Sequence, residues 1–477
     1  MAARIYGRNE RGNEKVKLWN RIRQALLQNP SQTLCERNAA MTYKELAAFA
    51  ERFAKRLKGE RCCAILCRSE MAAAMGLLSC FAAGVTAVPL SLRYGEAHCR
   101  KILDFISPSC LVTDTYGELM ATYFGEAKYI RPKAHPALIM CTSGTTGTPK
   151  GVMLSEENLL ANVQAIAAYF NIGKADTVLI ARPLYHCAVL TGELLTGLVK
   201  GSRIVFYSQA FQPAEILKQL RENKITVFCA TPTLLDMLAR FLRKTDPIRT
   251  LKHIAVSGEC LSDAVGKRIA SAFPDAALYH VYGLTEASPR VSFLPPPLFR
   301  EFPSFVGKPL DGVSVKLCTS DGSPVEAGET GILWVRGGNV MLGYYNDPAQ
   351  TEKVLQNGWL CTGDLAERNE EGLLRVKGRS DDLIIRAGMN IYPQEIESAL
   401  KEDPRVREVM AYGMPHPLLG TQIGMKISGA FSSVEEVKAL CGKILPPYQI
   451  PARIELTDRL PKNGSGKLIR RKAHDGV

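Results

Sequence analysis

Residues 139–154 read Ile139-Met140-Cys141-Thr142-Ser143-Gly144-Thr145-Thr146-Gly147-Thr148-Pro149-Lys150-Gly151-Val152-Met153-Leu154. An apolar run, Ala137 to Met140, enters a loop of small hydroxyl residues and glycines, and the exit is apolar again. Gly144, Gly147 and Gly151 let backbone amides approach a phosphate closely. Thr142, Ser143, Thr145, Thr146 and Thr148 add hydroxyl donors, and Lys150 adds a positive charge. A solvated Ser/Thr/Gly linker has the same composition, so the stretch alone leaves both readings open. It is not a Walker loop: Lys150 follows Pro149, three residues after Gly147, without the Gly-Lys-Ser/Thr ending. A phosphate held here needs another architecture.

Outward from this loop, short apolar strands alternate with amphipathic helices from Ala64 to about Val281. Strands are predicted at Val178–Ala181, Arg203–Phe206, Ile225–Ala230, Ile254–Ser257 and Leu278–Val281. Helices are predicted at Glu156–Phe170, Pro213–Glu222, Pro232–Leu242 and Ser262–Phe273. Such alternation gives an α/β fold of mainly parallel, helix-covered sheets. After Pro295-Pro296-Pro297 the texture changes, and frequent glycines mark turns between the short strands of a small β-rich lobe. A second shift falls at Gly378-Arg379-Ser380-Asp381-Asp382. Beyond it a small α+β unit is expected, with helices Pro393–Lys401 and Val434–Leu445 and strands Val406–Tyr412 and Ile423–Ser428. The expected domains are therefore residues 1–379 and 380–477, joined near Asp381.

Length and composition bound the function. The 477 residues, 46% hydrophobic and 22% charged, describe an ordinary globular protein of two to three domains. The net charge of +13 gathers at the two ends, and no nucleic-acid fold signature accompanies it. Anionic small molecules or an acidic protein partner fit that balance better than nucleic acid. The 14 cysteines form no Cys-x-x-Cys pair, and the first twenty residues are too charged for a signal peptide. A reducing, cytoplasmic setting is expected. Cys62, Cys63 and Cys67 are spaced poorly for zinc and read as buried thiols. Met71–Leu92 carries no charge over a membrane-spanning length, but Gly84 and Pro89 interrupt it. A buried helix, a turn and a strand at Thr86–Leu90 are expected instead, with no transmembrane segment.

Three later stretches carry chemistry. Tyr282-Gly283-Leu284-Thr285-Glu286 follows a predicted strand. An aromatic ring, a glycine turn, a hydroxyl and a carboxylate at a strand's C-terminal end suit a nucleotide and a hard cation, or simply a surface turn. Trp359-Leu360-Cys361-Thr362-Gly363-Asp364 presents a carboxylate whose two oxygens can hold a vicinal diol, or cap a hairpin. Leu460-Pro461-Lys462-Asn463-Gly464-Ser465-Gly466-Lys467 reads by itself as a solvated basic tail.

In this order, the stretches together resemble the adenylate-forming superfamily: acyl- and aryl-CoA ligases, peptide-synthetase adenylation domains and luciferases. The resemblance runs from Met41-Thr42-Tyr43-Lys44-Glu45-Leu46 to the C-terminal lysine motif. It implies that the loop 142–150 binds ATP phosphates and that Gly258-Glu259 flanks adenine. Tyr282 would stack on adenine, with His280 where many members carry an amide. Thr285 would meet the α-phosphate, Glu286 would hold Mg²⁺, Asp364 would bind the ribose, and Gly378-Arg379 would supply a second ribose or phosphate contact. Lys467 would catalyse adenylation; a swing of the mobile C-terminal domain about Asp381 would then bring Gly388, in Arg386–Pro393, to a pantetheine arm.

Pro183-Leu184-Tyr185-His186 resembles the Pro-Leu-x-His of acyl-CoA ligases, which gives His186 a gating or carboxylate-contact role. Amino-acid-activating members place Phe-Asp there, and this chain lacks it. The resemblance thus implies an acyl-CoA synthetase that converts a fatty or aryl acid to acyl-AMP and then to a CoA thioester. The expected cofactors are ATP, Mg²⁺ and CoA. Two alternatives stay open: loading the phosphopantetheine of an acidic carrier protein, and a non-catalytic adenylate-binding regulator. Ala188, Thr191, Gly192 and Leu195 recur at helical spacing after His186 and either line one side of an apolar slot or simply pack against the sheet, with Glu193 solvated or paired outside the slot.

Overall fold

The computed structural model describes residues 18–115, 117–125, 129–130, 132–143, 149–209, 212–242, 247–386, 389–416 and 420–460. Its central feature is a nine-stranded sheet. Across it run Lys308–Pro309, Arg290–Leu294, Ala277–Gly283, His253–Ser257, Val227–Ala230, Thr177–Ile180, Arg203–Phe206, Thr33–Glu36 and Ala39–Thr42. The strands from Ala277–Gly283 to Thr33–Glu36 are all parallel, and only the edges are antiparallel. A seven-stranded sheet holds the loop motif on strands Leu138–Ser143 and Pro149–Leu154. Its inner strands, Cys62–Ile65 and Thr86–Pro89, are buried along their whole length, as parallel strands covered on both faces must be.

The long uncharged stretch folds as expected. Helix Glu70–Ala83 is apolar all round and packs into the core that joins the two sheets. Ser69 caps its N-terminus, the Glu36 carboxylate accepts from the Ser69 hydroxyl and from the amides of Glu70 and Met71, and Gly84 ends it at φ +68°. A carboxylate at that end opposes the positive pole of the helix. Among the described residues, no helix is long and apolar enough to cross a membrane.

Beyond Pro295 the β-rich lobe is a five-stranded sheet that includes Val313–Cys318, Gly331–Gly337, Trp359–Arg368 and Leu374–Arg379. The C-terminal unit is another five-stranded sheet, built on the hairpin Val406–His416 and Gly420–Gly429 and covered by helices Pro393–Leu400 and Val434–Ile444. A separate core fills it, including Ile396, Leu400, Val409, Met425, Ile427 and Val437. Strand Leu374–Arg379 leads into a short 3-10 turn, Ser380–Asp382, at the expected joint. A Cβ on Gly378 (φ +147°) would lie 2.4 Å from Gln394 Oε1, and Lys377 Nζ is 3.4 Å from Glu395. The first helix of the C-terminal unit therefore packs directly on the joint.

Helix Glu156–Tyr169, like the others predicted, lies within one residue of its expected limits at each end. One segment departs. The helix expected after His186 is broken into Cys187–Val189, a π-helical turn over Leu190–Leu195, and Thr196–Lys200.

Candidate active site

The site gathers at the C-terminal ends of the parallel strands, where an open α/β sheet leaves its crevice. Strand Thr177–Ile180 leads to His186, His253–Ser257 to Gly258-Glu259, and Ala277–Gly283 to Tyr282–Glu286. The described part of the loop motif lies in the other sheet, as a β-hairpin with Thr142 opposite Lys150 and Ser143 opposite Pro149. Gly144, Thr145, Thr146 and Gly147, together with Gly388 and Lys467, lie outside the described residues.

Two hydrogen-bonded clusters tie the distant motifs together. In the first, the Tyr282 hydroxyl donates to Asp364 Oδ2 at 2.5 Å, and Arg379 Nη1 donates to Asp364 Oδ1 at 3.1 Å and to the Thr362 carbonyl at 2.9 Å. Burial and the adjoining Asp364 charge push the Tyr282 phenol well up, so it stays a donor. Burial works against the Arg379 charge, but Asp364 beside it outweighs that and holds the guanidinium protonated. Each Asp364 oxygen is engaged once and keeps a second acceptor direction for a diol. In the second cluster the Tyr344 hydroxyl donates to Glu286 Oε1 at 2.9 Å, while Lys150 Nζ stands 5.5 Å from the Tyr344 ring centroid. Tyr344 thus joins the stem of the loop to the carboxylate expected to hold a metal. A half-buried carboxylate fixed at one oxygen suits a hard, oxygen-seeking cation such as Mg²⁺.

Glu259 and His280 are set differently. Glu259 Oε2 accepts from the Thr233 amide at 3.2 Å and the Thr233 hydroxyl at 2.6 Å, which fixes the turn after Gly258. His280 is buried, and its Nδ1 lies 2.9 Å from the Pro303 carbonyl and 2.8 Å from that of Phe305. Two carbonyl acceptors require a proton on Nδ1. Its ring therefore anchors the segment after Phe299 instead of occupying an amide's place at a nucleotide.

His186 belongs to a four-ring cluster. Its Nε2 shares a hydrogen bond of 2.5 Å with the Tyr94 hydroxyl, and His98 Nε2 lies 3.3 Å from the Tyr185 hydroxyl. Tyr185 donates to the Cys141 carbonyl at 2.5 Å, one residue before Thr142. Glu70 Oε2 accepts from the Leu184 amide at 3.0 Å, so the Pro-Leu-x-His turn hangs on the helix below it. Burial raises the Glu70 carboxyl above its ordinary value. Tyr94, His98 and Tyr344 were not singled out from the sequence. Their roles come from contacts across 92, 87 and 58 residues, which no local pattern marks.

The expected apolar slot is corrected at three residues. Glu193 is not solvated or paired outside: it is fully buried and bonded to Arg182 at 2.7 Å. Gly192 does not open onto free space, because a Cβ there would lie 3.0 Å from the Arg290 guanidinium. Leu195 packs into the main core instead of lining a wall. The π-helical turn breaks the 3.6-residue spacing on which that expectation rested.

Comparison with known proteins fits this arrangement. The profile of the AMP-binding enzyme family matches residues 22–345, and that of the AMP-binding enzyme C-terminal domain matches residues 395–467. The chain belongs to the AMP-binding enzymes. Within the adenylate-forming superfamily it falls in the acyl-CoA synthetase branch. It is 31% identical to feruloyl-CoA synthase of an Amycolatopsis species, over 96% of this chain and 98% of that one. It is 32% identical to 2-succinylbenzoate–CoA ligase of Bacillus velezensis, over 95% and 97% respectively. O-succinylbenzoate CoA synthetase of Bacillus subtilis, solved with AMP, superimposes with a TM-score of 0.83 at 30% identity, covering 95% of this chain and 97% of that one. The same enzyme has also been solved with ATP and magnesium ion. In this AMP-binding enzyme, the cluster at Asp364 ties strand Ala277–Gly283 of the central sheet to strand Trp359–Arg368 of the β-rich lobe.

Proposed function

We propose that this AMP-binding enzyme joins a carboxylic acid to the thiol of CoA in two steps within one crevice. In the first step a carboxylate oxygen attacks the α-phosphorus of ATP, forming a C–O–P link and expelling pyrophosphate. In the second step the thiol attacks the acyl carbon, forming the C–S bond and releasing AMP. No covalent link to the protein is needed, so the residues act by placement and charge.

Asp364, oriented by Tyr282 and Arg379, accepts the ribose hydroxyls. Glu286, fixed by Tyr344, holds Mg²⁺, which supplies charge neutralisation on the phosphates when bound. Thr142, Ser143 and Lys150 belong to the phosphate loop with residues 144–147, Thr285 faces the α-phosphate, and Gly258-Glu259 and Tyr282 border the base. His186, in its hydrogen bond to Tyr94, closes the acid pocket. Lys467 serves the first step and Gly388 the second, with the C-terminal portion turning about Asp381 between them. The acid is aryl or fatty, and the relatives named above act on aryl acids.

One observation carries this reading. Motifs separated by 82 residues, at Tyr282 and Asp364, meet in a direct hydrogen bond. The experiment is pyrophosphate release from ATP across a panel of aryl, fatty and amino acids, with and without CoA. Acid-dependent release, with thioester formed only when CoA is present, is the expected outcome. Nucleotide binding without pyrophosphate release would make the chain a regulator instead. Thioester on a carrier protein but none on CoA would replace the acceptor.

A further inference from the structure

The histidine assigned above to the acid pocket is held from the other sheet. His186 ends the turn after strand Thr177–Ile180 of the nine-stranded sheet, where its amide donates to the Pro183 carbonyl at 3.1 Å. Tyr94 ends the 3-10 turn Leu92–Tyr94, which follows strand Thr86–Pro89 of the seven-stranded sheet. Both turns are pinned: Glu70 Oε2 accepts from the Leu184 amide at 3.0 Å, and Arg93 Nη2 donates to the Tyr207 carbonyl at 3.1 Å. The Tyr94 ring centroid lies 4.8 Å from that of Tyr185 and 5.9 Å, edge-on, from that of His186. The contact of 2.5 Å between the Tyr94 hydroxyl and His186 Nε2 therefore joins two fixed turns across the sheets.

The protons in this contact can be counted. Burial pushes the Tyr94 phenol up, so the hydroxyl keeps its proton. Among the described residues that hydroxyl has one hydrogen-bond partner, His186 Nε2. Were Nε2–H the donor, the hydroxyl proton of a half-buried ring would lack an acceptor, which is costly. The hydroxyl therefore donates and Nε2 accepts. An imidazole whose Nε2 accepts carries its single proton on Nδ1 and is uncharged. The neighbouring pair has the opposite polarity. The Tyr185 hydroxyl donates to the Cys141 carbonyl at 2.5 Å, so His98 Nε2, 3.3 Å from that hydroxyl, is the donor there. One cluster thus holds two histidines in opposite tautomers.

We propose that Tyr94 is a positioning residue for the adenylation step: it fixes His186 as the uncharged Nδ1–H tautomer, and that N–H orients the carboxylate of the acid. This rests on the reading above that His186 closes the acid pocket. As the carboxylate oxygen attacks the α-phosphorus, its negative charge passes toward the phosphate. A cationic imidazole would stabilise that charge more before the attack than during it, which raises the barrier. An uncharged N–H fixes the direction of one oxygen and leaves the charge available.

Nitrogen-15 spectra of the full chain labelled at its seven histidines read the tautomer directly, and the signals lost in His186→Asn identify His186. Wild type should carry the proton on Nδ1, whereas Tyr94→Phe, which keeps the ring, should show both tautomers. With cinnamate and decanoate as probe acids, Tyr94→Phe should lower kcat/KM for the acid in pyrophosphate release by about fivefold to tenfold, on the order of one lost hydrogen bond. The KM for ATP, and thioester formation from supplied acyl-AMP, should not change. Asparagine at position 186 offers an amide N–H near the place of Nδ1 with no tautomer to be set. Tyr94→Phe should therefore cost little more in the His186→Asn background. A wild-type proton on Nε2 overturns the proposal, as does an equal loss in both backgrounds, which is the signature of a purely structural tyrosine. A loss in His186→Ala with none in Tyr94→Phe overturns it while leaving His186 at the acid. No loss in either variant removes His186 from the acid pocket and overturns the underlying reading as well.

Discussion

Asp364 is the residue on which the nucleotide reading turns, because Tyr282 and Arg379 converge on it from separate strands. Asp364→Ala should raise the KM for ATP by about tenfold to a hundredfold, as expected for a lost charge-assisted pair of bonds. Tyr282→Phe, which removes one oriented donor, should raise it less; steady-state kinetics with saturating acid measures both. His280 predicts a pH effect on stability. Burial lowers its pKa from 6.5 to about 4, against the two carbonyls that raise it. The unfolded chain therefore binds a proton below pH 6.5 that the folded chain refuses until about 4. Stability is fully present above that window and falls as pH drops through it, by up to about 3 kcal/mol from this group. Replacing His280 with Gln should flatten the denaturant midpoint between those pH values. Glu286 and Asp364 stand out in the sequence as candidates because each closes a compact motif. Tyr94 and Tyr344 do not, since only the folded chain brings them to His186 and Glu286. Glu193 was misplaced because an unpaired carboxylate belongs in water, and its partner Arg182 stands on another element.

At the scale of elements, the regular ones could be read and the irregular one could not. Helix Glu156–Tyr169 has Ser155 as its cap with Asn158 reaching back, a local signal that needs no tertiary context. Strands such as Val227–Ala230 announce themselves as apolar runs between helices. The π-helical turn Leu190–Leu195 left no mark in the composition, because residues 187–199 look like one apolar helix. Its consequence is testable. Gly192 sits where a side chain would press on the Arg290 guanidinium at 3.0 Å, and Arg290 is itself held by Tyr169. Gly192→Leu should therefore lower stability by about 1–3 kcal/mol through overpacking, seen as a lower Tm. Retained stability with an altered chain-length preference would show instead that the glycine opens onto the acid.

At the scale of the whole molecule, the large portion and the C-terminal unit have separate cores and meet at the turn Ser380–Asp382. The change of texture near Arg379 in the sequence falls beside that turn. The two-step reading assigns Lys467 to the first chemical step only. Lys467→Ala should lower acyl-adenylate formation by two to three orders of magnitude, about the loss of a charge-stabilising donor, while thioester formation from supplied acyl-AMP survives. An equal fall in both steps would remove the rotation about Asp381 from the account. The central claim is that a carboxylate oxygen attacks the α-phosphorus. Turnover of an acid labelled with heavy oxygen in its carboxylate, followed by mass analysis of the nucleotide, tests it most directly. One labelled oxygen should appear in the phosphate of AMP, with an equal amount of pyrophosphate released. Unlabelled AMP, or label in inorganic phosphate alongside ADP, would contradict it.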